Sequence, residues 1–212
     1  LINSLYSWSD LKGKNIEEAI SNLQKLDERF PNLKKIQNAF LYSFFGHGDA
    51  ENFFNELTSE QKTDFSRYNY FYAKYLHSLG KVQEAKKILN SSLKKYPRNL
   101  LLNQYKLDLE NSENNFSFDF KKETHVIAEI LYIVANAFSS QSIYSASNFY
   151  LNLSKYLNKD FHAFDTLMAE NFYNIDDLVN SKKIYESLEE YGSAFQWFSN
   201  KQISRILVKE EK

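Results

Sequence analysis

The residues with the most chemistry available to them are four histidines: His47, His77, His125 and His162. An imidazole can ligate zinc or carry a proton near neutral pH. Zinc binding calls for histidines at i, i+4 on one helix or for nearby cysteines. No two of the four are so spaced, and the chain has no cysteine. His47 stands in Gly46-His47-Gly48-Asp49, which reads as a turn. The Gly46-x-Gly48 pair lacks the third glycine and the preceding strand of a phosphate-binding loop. No glycine-rich Walker sequence and no Gly-x-Ser-x-Gly elbow occurs. The acid pairs Glu17-Glu18, Asp176-Asp177 and Glu189-Glu190 are adjacent, so on a helix their carboxylates diverge instead of meeting in a cleft. They read as solvated faces. The expectation is a chain that is not an enzyme, with no catalytic residue, no metal ligand and no cofactor.

Composition narrows the partners. Lys and Arg number 26 against 27 Asp and Glu, a net charge of −1. That balance lacks the basic surface a nucleic-acid backbone or an anionic membrane requires. No apolar run approaches the roughly 20 residues of a membrane span. Hydrophobic residues at 43% and charged residues at 25% give enough of each for a core and a wetted surface. Five glycines and two prolines in 212 residues favour long helices over a turn-rich β fold. The 18 Phe and 15 Tyr are read first as core between helices, because burial is the commonest use of a large ring. The chain opens on Leu1 and not Met, which reads as a fragment or a processed form.

The elements are organised around Ser66–Asn99. Tyr68, Tyr72, Ala73, Leu76 and Leu79 recur at helical spacing. Gly80 ends that helix, since glycine takes the left-handed conformation without a Cβ clash. Val82, Ala85, Ile88, Leu89 and Leu93 form the stripe of the next helix, and Pro97 stops it. So short a connection makes the two helices antiparallel. Ala73 and Ala85 are the small residues at which they can approach closely.

With its small residues, aromatics and terminal proline at these offsets, the stretch resembles a tetratricopeptide repeat (TPR), a helix–turn–helix unit of 34 residues. Ala73, Leu76, Gly80, Ala85, Leu89 and Pro97 carry the match. Small residues twelve apart recur as Ser7/Ala19, Ala73/Ala85, Ala135/Ser147 and Ala169/Ser181. The last two pairs are 34 positions apart, as are Phe138 and Phe172, and Ala19/Pro31 repeats the offset of Ala85/Pro97. The resemblance implies an all-α, right-handed helical-hairpin solenoid of about six TPR-like units.

Three segments are expected: a TPR-like block over 1–110, an irregular connection over 111–123, and a second block over 124–212. In the first block, Asn15 and Glu18 read as a capping box, and Pro31 as the end of the helix they open. Leu33–Phe45 reads as a first helix. Ala50–Leu57 reads as a short or splayed second helix, with Phe53 where other repeats have a small residue, and Leu100–Glu110 as a further helix. The connection has no helical period, and Phe116, Phe118 and Phe120 alternate with polar residues as in an extended segment packing its rings on a helix. Helices follow over Thr124–Phe138, Ser142–Leu157, Phe161–Tyr173, Asp176–Glu190 and Ser193–Val208. The second block resembles the C-terminal half of exported bacterial TPR proteins through Ala128–Phe138, Ala169–Tyr173 and the aromatic start of its last helix. That likeness implies a periplasmic or envelope location.

Stacked helix pairs curve, with the first helix of each pair on the concave side. The TPR resemblance carries groove positions onto Asn38 and Tyr42, Tyr70, Lys74 and His77, Tyr132 and Asn136, and Thr166, Glu170 and Tyr173. Tyrosine and asparagine offer flat contact area and hydrogen bonds to an extended backbone. The expected function is a non-catalytic scaffold that binds a peptide segment or a partner helix in this groove. Lys35, Asn38 and Lys74 match the family's carboxylate clamp only in part. The alternative is a structural or assembly subunit of a larger bacterial envelope complex, docking through solenoid edges.

Overall fold

The turn at Gly80 recurs, and its recurrence sets the architecture. The computed structural model describes residues 2–8, 11, 15–24, 31–59, 66–111 and 117–211. Within them, four residues close a helix in the left-handed conformation: Gly46 (φ 71°), Gly80 (φ 76°), Ser142 (φ 63°) and Asp176 (φ 61°). Each is closed by the same two hydrogen bonds. The Gly80 N–H donates to His77 O at 2.9 Å, and the following Lys81 N–H reaches Leu76 O at 2.9 Å. The equivalent acceptors are Ser43 and Tyr42 at Gly46, Ser139 and Phe138 at Ser142, and Tyr173 and Phe172 at Asp176. This is the Schellman arrangement, which satisfies carbonyls that a helix end leaves unpaired. Gly46 and Gly80 are 34 residues apart, as are Ser142 and Asp176. Gly80 and Ser142 are 62 apart, short of two full repeats, and the shortfall lies across the irregular connection.

The described residues form twelve α-helices and no strand. In chain order these are α1 (Ile2–Trp8), α2 (Ile16–Leu23), α3 (Pro31–Phe45), α4 (Ala50–Ser59), α5 (Ser66–Ser78), α6 (Val82–Lys95) and α7 (Leu100–Glu110). Then come α8 (Glu123–Ser140), α9 (Tyr144–Leu157), α10 (Ala163–Asn174), α11 (Leu178–Leu188) and α12 (Ser193–Glu210), with a 3-10 turn at Glu189–Tyr191 before α12. Helices α1 and α2, α3 and α4, α5 and α6, and α10 and α11 pack as hairpins. The chain is thus an all-α helical repeat. It divides into two compact units, Leu1–Asn115 with Asp119–Val126, and Phe116–Phe118 with Ile127–Lys212.

Local chemistry explains several helix starts. The Asn15 carboxamide accepts from the Glu18 N–H at 2.9 Å, so the predicted cap at α2 is formed. Asn99 and Asp177 do the same for α7 and α11, accepting from Leu102 N–H at 3.1 Å and Asn180 N–H at 3.2 Å. Pro31 opens α3 instead of closing α2. Its missing N–H costs nothing in a first helical turn. Leu79, assigned by its spacing to the buried stripe, is half-exposed in the turn.

Counted from the four left-handed residues, the repeat register is unambiguous. Seven positions before each stands an alanine, Ala39, Ala73, Ala135 or Ala169, and all four are 0% exposed. Five positions after each stand Ala85, Ser147 and Ser181, all fully buried, and in the Gly46 repeat Glu51. The misfit in that repeat is therefore Glu51 and not Phe53. Its carboxylate meets Lys81 Nζ at 2.6 Å and accepts from the Tyr72 hydroxyl at 3.5 Å. Burial and the Glu51 charge together push the Tyr72 phenol up to about 12. Helix α4 runs ten residues and buries Ala50, Phe54 and Leu57. Residues 58–64, whose sequence lacks the usual helix ending, lie mostly outside the described residues.

In the first unit α5 is the central helix, buried at every position from Tyr68 to Leu76. Phe54 of α4 stacks on Tyr72 with centroids 5.5 Å apart and planes 7° from parallel. Trp8 Nε1 donates to Gln37 Oε1 at 2.6 Å, joining α1 to α3. Phe120 completes this core, with its ring centroid 5.8 Å from that of Phe40 and 6.0 Å from that of Tyr75. Phe118 belongs to the second unit and packs edge-on against Phe161 at 5.8 Å. Phe118 and Phe120 are thus both buried, but in different units and with a turn at Phe120 instead of one extended segment on a helix, while Phe116 lies outside the described residues. In the second unit Asn171 joins three helices. It accepts from Ser139 Oγ (α8) at 2.6 Å and donates to Ser147 Oγ and Asn148 Oδ1 (α9), each at 2.8 Å.

Candidate protein-binding face

Eight of the residues expected in a groove, together with Ser139, lie ten, six or three residues before a left-handed residue: Tyr70, Lys74 and His77 in α5, Tyr132, Asn136 and Ser139 in α8, and Thr166, Glu170 and Tyr173 in α10. The same register in α3 selects Ile36, Phe40 and Ser43. Asn38 and Tyr42 instead share the helix face of Tyr72 and Leu76. Tyr42 packs on Phe53 of α4, centroids 4.7 Å apart, and on His47 at 5.1 Å. These two sequence-assigned residues therefore sit off the line of the other eight.

In the first unit Tyr70 and Lys74 are covered and His77 is partly exposed. Tyr70 is 1% exposed and packs edge-on against Tyr105 of α7 at 5.2 Å. Lys74, 8% exposed, holds its ammonium 5.4 Å above the same ring. His77 Nδ1 shares a 2.9 Å hydrogen bond with the Tyr105 hydroxyl. Three residues drawn from the sequence thus converge on one ring that the sequence did not single out. Burial pulls the Lys74 ammonium down to about 8, against the opposing pull of the Asp108 and Asp119 carboxylates. Burial and then the Lys74 charge lower His77, which favours its neutral imidazole. Ile36 and Phe40 are buried as well.

In the second unit the equivalent residues reach solvent. Asn136 is exposed, and Tyr132, Thr166, Glu170 and Tyr173 are partly so. Tyr132 rests on Phe164, centroids 5.6 Å apart, and Thr166 Oγ1 donates to Ala163 O at 2.8 Å. Glu170 is gripped in bidentate fashion by Arg205 of α12: Nη1 donates to Oε2 and Nη2 to Oε1, both at 3.2 Å. The Tyr185 hydroxyl also donates to Glu170 at 3.2 Å, and burial with the adjacent carboxylate raises that phenol. Two cations lie on the Tyr173 ring, Arg205 Cζ at 3.9 Å and Lys209 Nζ at 4.4 Å from its centroid. Lys209 also ion-pairs with Asp176.

Sequence reasoning did not extend the 34-residue step into α12. One period beyond Thr166, Glu170 and Tyr173 stand Asn200, Ser204 and Leu207, and all three are exposed. The 34-residue step alone would have found them. Among the described residues, no group of three His, Asp or Glu side chains is placed to hold a metal ion, and no helix is long and apolar enough to cross a membrane.

Comparison with known proteins agrees with this register. The tetratricopeptide repeat family model matches residues 72–99, the hairpin closed by Gly80. No curated protein matches the chain. In general terms such repeats are protein–protein interaction scaffolds. The family model matches this one hairpin, whose turn geometry recurs at Gly46, Ser142 and Asp176, so the chain carries a tetratricopeptide repeat at residues 72–99.

Proposed function

We propose that the second unit binds an extended peptide segment or a partner helix, without catalysis, on the face formed by Tyr132, Asn136, Thr166, Glu170 and Tyr173 together with Asn200, Ser204 and Leu207. The observation that carries this reading is the contrast in exposure at equivalent positions. Tyr70 and Lys74 are buried, whereas Asn136 and Ser204 stand in solvent. Amide and hydroxyl side chains in three successive first helices supply donors and acceptors for a peptide backbone. Tyr132, Tyr173 and Leu207 supply apolar contact. The Glu170–Arg205 pair holds α10 and α12 in fixed spacing beneath a ligand. The test is affinity capture from native extract on the immobilised chain, compared with an Asn136→Ala/Tyr173→Ala variant of unchanged helicity. Loss of a partner recovered by the wild type supports the face. Equal recovery by both removes it.

A second reading rests on the outward rings of this unit. Tyr156 is 87% exposed, Trp197 65% and Phe149 60%. Such surface favours self-association of the chain through its outer helix faces. Light scattering over a concentration series decides it, and a monomer at every concentration rejects it.

A further inference from the structure

A ring cluster of α3, α4 and α5 in the first unit is covered by a later segment of the chain itself, in a manner resembling a bound ligand. Asp119–Val126 belongs to that unit although α7 ends at Glu110. Its contacts with α3, α4 and α5 run through side chains. Phe120 enters a cage of four rings, with centroids 5.8 Å from Phe40, 6.0 Å from Phe54, 6.4 Å from Phe71 and 6.0 Å from Tyr75. Three of the four are edge-to-face, the geometry favoured by ring quadrupoles. Next in sequence, Lys121 Nζ donates to Phe44 O at 2.5 Å, at the C-terminal end of α3 where the helix dipole favours a cation. One residue before the anchor, Asp119 is one of the two carboxylates acting on buried Lys74. The backbone holds itself in this shape: Lys121 N–H donates to Asp119 Oδ1 at 2.8 Å, and Asp119 N–H to His125 Nδ1 at 3.0 Å.

We propose that Phe40, Phe54, Phe71 and Tyr75 form a binding site for one phenylalanine ring of an acidic-Phe-basic peptide segment, and that the chain's own Asp119-Phe120-Lys121 occupies it. The first unit is then closed to outside ligands while that segment is seated. The ligand is read from the occupant: a ring for the cage, a following cation for the carbonyl end of α3, and a preceding anion for Lys74. This goes beyond the second unit's face, and its test reads first-unit residues alone, so either reading can fail without the other.

The experiment uses the full chain with Phe120→Ala, which empties the cage. The probe is a fluorescent peptide of the sequence of residues 117–122, Ser-Phe-Asp-Phe-Lys-Lys, followed by anisotropy. A matching peptide with its second phenylalanine changed to alanine is the control. The expected result is binding to Phe120→Ala about tenfold or more tighter than to the wild type, because self-occupancy lowers the competent fraction, and loss of binding with the control peptide. Equal binding to wild type and variant, equal binding of both peptides, or a folded variant that binds neither overturns the proposal. Loss of cooperative unfolding in Phe120→Ala overturns it too, since Phe120 would then be an obligatory part of the core and not an occupant.

Discussion

The Ser181 hydroxyl donates a 2.9 Å hydrogen bond to the Ala169 carbonyl, twelve residues earlier on the facing helix. A hydroxyl on a side chain as short as serine reaches the facing backbone carbonyl only where the helices approach closely, which the small Ala169 permits. Ser181→Ala keeps the close approach and loses the bond, a cost of about 1 kcal/mol. Ser181→Leu forces the helices apart and costs roughly 1–3 kcal/mol. Ala85→Leu does the same in the first unit. Urea unfolding measures all three, and a Ser181→Leu variant as stable as wild type would contradict the crossing.

Two of the four helix-closing residues carry side chains in a conformation that suits glycine. Ser142 at φ 63° and Asp176 at φ 61° each bear the Cβ cost of the left-handed region. Ser142→Gly should gain about 0.5–1 kcal/mol, because relief of a cost of roughly 1–2 kcal/mol outweighs the added freedom of the unfolded chain. Asp176→Gly should gain less, since aspartate tolerates this region better. Gly80→Ala should lose about 1 kcal/mol through the backbone alone, as nothing lies within 4 Å of the added Cβ. Melting temperatures rank the three, and a Ser142→Gly variant that melts lower than wild type would contradict the ordering.

Buried Lys74 makes stability depend on pH above neutrality. Its ammonium is lowered from 10.5 to about 8 in the folded chain. Between those values the unfolded chain binds the extra proton, so stability rises with pH across this window. The penalty present below pH 8 is relieved, by at most about 3 kcal/mol. Tyr72 acts in the opposite sense above pH 10, because its folded value of about 12 lies above the unfolded 10. The clean interval is therefore pH 8 to 10. Urea midpoints of wild type should rise across it, and those of Lys74→Met should not. Parallel slopes would show that Lys74 is not the group responsible.

The Glu170–Arg205 pair should contribute spacing more than stability. Its side chains are 36% and 45% exposed, so solvent and salt screen the attraction. Glu170→Gln keeps an oxygen for Tyr185 and should cost under about 1 kcal/mol, less at high salt. Denaturation at two ionic strengths checks this, and a larger, salt-independent loss would place the carboxylate in the core.

The sequence disclosed the hairpin at Gly80 because glycine, alanine and proline each mark a backbone requirement that few other residues meet. The equivalent turns at Ser142 and Asp176 carry no such mark, and only the 34-residue spacing of Ala135/Ser147 to Ala169/Ser181 and of Phe138 to Phe172 points to them. In the Gly46 repeat the sequence reading puts Phe53 at the small-residue position, whereas the turn gives Glu51. Asn38 and Tyr42 stand at the same two-residue offset from Ile36 and Phe40. Alternation at Phe118 and Phe120 announced burial but not its location, because contacts such as Phe120 with Phe40 join residues 80 apart that no local period relates. The convergence of Tyr70, Lys74 and His77 on Tyr105 was hidden for the same reason.

Asn171 limits how freely this chain can be rebuilt. One carboxamide uses its oxygen for Ser139 and its nitrogen for Ser147 and Asn148, so its hairpin is fitted to one particular neighbour. Transplanted to another layer of the stack, or duplicated in tandem, that hairpin would bring along a sequestered amide whose matching hydroxyls stayed behind. Lengthening the array by copying this module therefore requires moving α8 and α9 with it.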